Sequence, residues 1–177
     1  MRPTATSLLV RGESPGRLVS SIRDAAAGLG SQKPAGGLVF AAGNMATKLG
    51  AVAEALGRAN LGFPLLLASG AGVVTERGEI EGESAAAVLL WLGGAAEAWV
   101  VSASQPELCL ALSRELCARN EASRAQTALV FLRPNGVQPS SIEALHGLKG
   151  SCLVGAGCYR LRLRSSHRKP ASYSSAM

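Results

Sequence analysis

The stretch GLVFAAGNMATKLGAVAEALGRANLGFPLLLASGAGVVTERGEIEGESAAAVLLW, Gly37 to Trp91, decides the fold. Leu38 to Ala42 is a short apolar run of the kind that forms a buried strand. Asn44 then stands where a side-chain oxygen caps a helix. Met45, Leu49, Val52, Leu56 and Ala59 follow at helical spacing and predict one apolar stripe on that helix. Asn60 and Gly62 end it, and Pro64 opens the next strand without needing an N–H. Residues 65–74 read as a strand that kinks through Ser69-Gly70-Ala71-Gly72. Glu76-Arg77-Gly78-Glu79 reads as a turn, and Ala85 to Leu92 as a strand of small and apolar residues.

Working outward, Ser14-Pro15 reads as N-cap and first helical position. Leu18, Ile22, Ala25 and Leu29 give that helix its buried face, and Gly30 ends it. On the C-terminal side, Gly93-Gly94 breaks the chain and 98–103 predicts a strand, so that 85–103 forms a hairpin. A helix starting at Ser104 buries Leu108, Leu112 and Leu116. Thr127 to Leu132 predicts a strand, Ser140 to Leu148 a helix and Cys152 to Gly157 a strand. Tyr159 to Arg164 alternates with period two, as an edge strand with a basic face would. The pattern is mixed α+β: about seven strands, with four helices packed outside the sheets. Residues 1–13 form an N-terminal segment, 14–164 a single domain and 165–177 a basic, Ser-rich tail expected to be disordered.

An internal β-α-β repeat runs through this pattern. Leu38-Val39-Phe40 recurs as Leu129-Val130-Phe131, and Asn44 and Asn135 each lie four residues past the Phe. The second strands correspond as Leu66-Leu67-Ala68-Ser69-Gly70 and Leu153-Val154-Gly155-Ala156-Gly157. The two units are expected to pack with their sheets face to face.

The chain has 177 residues and a net charge of +6. Residues 1–157 hold 13 Lys/Arg against 12 Asp/Glu, and the last 20 residues hold five basic residues and no acid. A near-neutral domain with few aromatics lacks the basic groove that nucleic acid needs, so no nucleic-acid partner is expected. Cys109, Cys117, Cys152 and Cys158 form no Cys-x-x-Cys pair, and neither His146 nor His167 stands at ligand spacing to them. Reduced, mostly buried thiols and no metal are expected. A Cys152–Cys158 disulfide would require the chain to turn between them. The longest apolar run, Ala85 to Ala96, ends at Glu97 and falls short of the roughly 20 residues of a membrane span, so no membrane is expected. Residues 1–12 carry Arg, Ser and Thr without acid, which leaves an organelle transit peptide open.

Small residues at Ser69 to Gly72 let a ligand approach backbone N–H groups. A β-bulge or tight strand crossing uses the same residues for packing alone. No Gly-Lys-Ser/Thr follows, as a P-loop requires, and no helix follows, as a dinucleotide fingerprint requires. Glu79, Glu81 and Glu83 are spaced by two, so one strand face would carry all three; such a cluster binds a cation or amine, or serves as a solvated edge. Ser69 lacks a neighbouring base, and neither Ser-x-x-Lys nor Gly-x-Ser-x-Gly occurs. No catalytic constellation and no cofactor are expected.

The order of LLLASGAGVV followed by EIEGESAAAVLLW resembles the N-terminal FIST domain of F-box and intracellular signal transduction proteins, and the resemblance covers roughly residues 14 to 157. It implies a sensory, small-ligand-binding module of an intracellular signalling protein, located in the cytoplasm, with Glu81-Gly82 as the family's acidic element. The candidate ligand-binding residues are Asn44, Ser69, Gly70, Gly72 and Glu81, and the implied ligand is a small polar molecule such as an amino acid. A FIST C-terminal domain usually follows, and after Gly157 this sequence departs from the pattern. A stand-alone sensor and a truncated chain both fit. The rival reading is a scaffold that meets a protein partner through its sheet edge, or associates with itself, and binds no small ligand.

Overall fold

The computed structural model describes residues 4–94, 96–97, 107, 111–112, 114–115, 118, 127–132, 152–157 and 160–164. The predicted strand at 98–103, helix at 140–148, Asn135, both histidines and the tail lie outside the described residues. The fold is α+β. A five-stranded sheet runs in the order β1 (Ala5–Arg11), β6 (Ala85–Trp91), β2 (Gly36–Ala42), β3 (Leu65–Ser69), β9 (Arg160–Arg164). Only β2 and β3 pair in parallel; the other three contacts are antiparallel. Two smaller sheets are the antiparallel hairpin of β4 (Gly72–Thr75) with β5 (Gly78–Glu81), and the parallel pair of β7 (Thr127–Leu132) with β8 (Cys152–Gly157). The described residues thus hold nine strands, against about seven expected.

The main core lies on one face of the large sheet. Helix α1 (Pro15–Gly28) contributes Leu18, Val19 and Ile22. Helix α3 (Leu49–Ala59) contributes Leu49, Val52, Ala53 and Leu56. They pack against Val10, Val39, Ala41, Leu65, Leu67, Ala86, Val88 and Leu90 of the strands. The alternate strand residues, Leu9, Phe40, Ala42, Ala85 and Ala87, face the other way and receive Val73 and Ile80 of the hairpin. Apart from the exposed Leu89, the central strands are covered on both faces, so β2 and β6 read as continuous apolar runs without alternation.

The predicted helix starts hold at one end and fail at the other. Ser14 caps α1 by accepting from the Arg17 N–H at 3.4 Å, with Pro15 at the first position. Asn60 ends α3 in the left-handed region at φ 43°. Asn44, however, caps nothing. The helix expected from it is divided at Lys48 into α2 (Gly43–Thr47) and α3, and α2 starts at Ala42 without a side-chain cap. The hydroxyl of Ser84, from the β5–β6 loop, instead accepts the Asn44 N–H at 2.9 Å. The apolar stripe survives the break: Met45, Leu49, Val52 and Leu56 are all buried.

Three further expectations change. Residues 65–74 are two strands in two sheets, because the chain leaves the large sheet after Ser69 and folds back as β4. Both edges of β6 are occupied, by β1 and β2, so it has no edge left for a hairpin with 98–103. Residues 5–11 form the strand β1 across β6, so the sheet begins before residue 14. Cys152–Gly157 is extended, which separates its ends by about 16 Å. The turn that a Cys152–Cys158 disulfide would require is therefore not made within 152–157, and Cys158 itself lies outside the described residues.

Each of the two stretches expected to repeat holds a parallel strand pair among the described residues. Phe40 stands opposite Ala68 in the first parallel pair, and Phe131 opposite Ala156 in the second. This register equates Ala68 with Ala156, one residue away from the sequence correspondence. The rings of Phe40 and Phe131 meet edge to face with centroids 5.4 Å apart.

The candidate site at the ends of β2 and β3

The carboxyl ends of the parallel strands β2 and β3 lie side by side, with Ala41 opposite Ser69. Crevices beyond such ends are where α/β sheets tend to hold ligands. Ser69 is only 3% exposed and is the one buried polar residue among those described. This burial argues against an exposed serine nucleophile. The Gly70 N–H donates to the Ala41 carbonyl at 3.0 Å, so it is spent on closing the strand end and is not offered to a ligand as the sequence suggested.

Gly72 opens the hairpin opposite Glu81. A Cβ on Gly72 would lie 2.9 Å from the Ile80 carbonyl oxygen and 3.0 Å from Glu81 Cγ. Close strand approach therefore accounts for this glycine without a ligand. Glu79 and Glu81 lie on β5 and are exposed. Glu83 does not share their face: it lies beyond Gly82, outside the strand, and pairs with Arg11 at 3.6 Å. Glu76 accepts a hydrogen bond from the Ser7 hydroxyl, which ties the hairpin turn to β1. That bond, foremost, holds the Glu76 carboxyl below the usual carboxylate range.

Asn44 anchors a cluster that the sequence did not disclose. Its Nδ2 donates to Glu13 Oε1 at 2.5 Å, Lys48 Nζ reaches Glu13 Oε2 at 3.1 Å, and Ser84 Oγ lies 3.4 Å from Glu13 Oε1. The Asn44 bond first, then the Lys48 bond, hold the Glu13 carboxyl below the usual carboxylate range. Gly43 brings these segments together. Its φ is +58°, and a Cβ there would lie 2.5 Å from the Glu83 carbonyl oxygen. The Gly12 N–H donates to the Ser84 carbonyl at 2.7 Å, which fastens the Glu13 turn to the same loop. The i, i+4 spacing of Asn44 and Lys48 was a legible signal of a shared helix face. Nothing local pointed to Glu13 or Ser84, which lie 71 residues apart.

Of the five sequence candidates, Asn44 follows the end of β2, Ser69 closes β3 with Gly70 just after it, and Gly72 and Glu81 belong to the hairpin. Glu81 forms no hydrogen bond or ion pair with the Asn44 cluster. Among the described residues, no group of three or more His, Cys, Asp and Glu is placed to hold a metal ion, and no helix is long and apolar enough to cross a membrane. No protein-family model, no curated protein and no solved structure matches this chain.

Proposed function

We propose that this chain is a small-ligand-binding sensory domain of an intracellular signal transduction protein, acting in the cytoplasm and without catalytic activity of its own. One observation carries the reading: in a molecule cored by Leu, Val and Ala, polar side chains from separate segments collect at the carboxyl end of β2, beside the end of β1 and the start of β6. A small polar molecule such as an amino acid suits them, since amide, hydroxyl, ammonium and carboxylate groups are all at hand. The FIST-like order of the β3, hairpin and β6 segments supports the same reading. Native mass spectrometry of the protein purified from cells tests it. A retained small molecule is expected, and Asn44→Ala and Lys48→Met should each lose it while keeping their circular dichroism. Retention by both variants would put the site elsewhere.

A scaffold without a small ligand is the second reading. It would use apolar side chains left in solvent, such as Val74, 70% exposed on the hairpin, and Leu89, 40% exposed on β6. In that case a polypeptide, and no small molecule, should accompany the purified chain.

A further inference from the structure

The Glu13 cluster has the form of a receptor for a carboxylate. Three donors of different chemistry address one group: an amide N–H from Asn44, an ammonium from Lys48 and a hydroxyl from Ser84. Both carboxylate oxygens are engaged, Oε1 by Asn44 and Ser84 and Oε2 by Lys48. Charge-assisted bonds of this kind are stronger than neutral ones and fix the orientation of the bound group.

Two of the donors are set in place without Glu13. The Asn44 N–H bonds to the Ser84 hydroxyl oxygen, the Thr47 hydroxyl donates to the Asn44 carbonyl at 2.8 Å, and Gly43 packs against the backbone of Glu83 and Ser84. The occupant is less confined. The side chains of Glu13 and Lys48 remain 44% and 56% exposed, so a carboxylate from solution can reach the donors. A tether between α1 and the sheet end would need only one such bond. Here two separate segments, residues 44–48 and the loop at Ser84, converge on both oxygens.

We propose that Asn44, Lys48 and Ser84 form a carboxylate-binding cradle whose resting occupant is Glu13, and that a small molecule bearing a free carboxylate displaces Glu13 to bind there. This rests on the sensory reading and names its ligand class and its internal competitor. Displacement frees the turn between β1 and α1, so the ligand's arrival alters the position of a segment that its binding does not otherwise touch. An internal competitor lowers apparent affinity by the fraction of time it leaves the cradle vacant.

The test is an amide NMR titration with sodium acetate, against sodium chloride at equal ionic strength, on the full chain. If Glu13 fills the cradle about nine-tenths of the time, Glu13→Ala should bind acetate about tenfold more tightly than the parent. The shifts should centre on the Asn44 side-chain amide and the Ser84 backbone amide. Adding Lys48→Met to Glu13→Ala should remove the gain. Glu13→Gln, which keeps the side-chain shape, serves if the alanine variant loses its dispersed spectrum, and should also bind acetate more tightly than the parent. Equal acetate affinity in the parent and the Glu13 variants, or a gain that survives Lys48→Met, overturns the cradle. A small molecule retained from cells alongside a silent titration would keep the sensory reading and reject this one.

Discussion

At the residue scale, single positions here are fixed by backbone that arrives from far along the chain. Gly43 lies in the left-handed region, with the Glu83 carbonyl where its Cβ would be. Gly43→Ala should therefore lower unfolding stability by about 2 kcal/mol or more, read from urea denaturation. Gly28, at the end of α1, has open space around it, and Gly28→Ala should gain about 0.5–1 kcal/mol, which makes it the matched control. Glu13 also leaves a signature in acid. Because its folded carboxyl titrates below the usual range, the unfolded chain takes up a proton first as pH falls. Its stabilisation is full above the ordinary carboxylate range of about 4 to 4.5 and disappears as pH drops through the lower folded value. Glu76 acts in the same direction through Ser7. Stability measured from pH 6 to pH 3 should fall below about 4.5, and Glu13→Gln should flatten part of that fall.

At the element scale, the β4–β5 hairpin is held by a small cluster. Val73 and Ile80 stand opposite each other and are its pegs into Ala42, Ala85 and Ala87. Ile80→Ala should cost about 2 kcal/mol, the low end for a buried isoleucine, since a surface hairpin can settle into the space. Hydrogen exchange should then speed up in residues 72–81 before the rest of the sheet. The hairpin also explains why the sequence misled over 65–74. Both halves of that stretch are strands, and period and composition do not reveal that the chain changes sheets between them. The caps of α1 and α3 were legible because Ser14, Pro15 and Asn60 act within one turn of their own helix. The start of α2 was not, because its partner hydroxyl, Ser84, is 40 residues away.

At the scale of the whole molecule, the two parallel strand pairs, β2–β3 and β7–β8, meet through Phe40 and Phe131. Their coupling can be measured in a double-mutant cycle to Leu, with an expected interaction of about 0.5–1.5 kcal/mol, typical of edge-to-face aromatic pairs. Additive effects would mean that the rings do not interact in solution. The outer edge of β3 is covered by β9 alone among the described residues. A chain ending at residue 157 would expose the β3 edge, Leu65 to Ser69, an apolar run with unpaired backbone groups. It should self-associate in sedimentation experiments across a concentration series. A monomeric truncated chain would show that β9 is dispensable for protecting that edge.

The sequence by itself determined the fold class, the buried stripes of α1 and α3 and the extended edge at 160–164, because each follows from spacing along one segment. Tertiary structure alone decided which strands are neighbours: β1 and β2 flank β6, although residues 1–13 were read as a segment outside the domain and β6 as half of a hairpin. It also decided the polar cluster. Glu13, Asn44, Lys48 and Ser84 carry no common local pattern, and they meet only because the sheet order and Gly43 bring three loops to one end of β2. Periodicity records what a segment buries, whereas a site of this kind depends on which segments lie side by side.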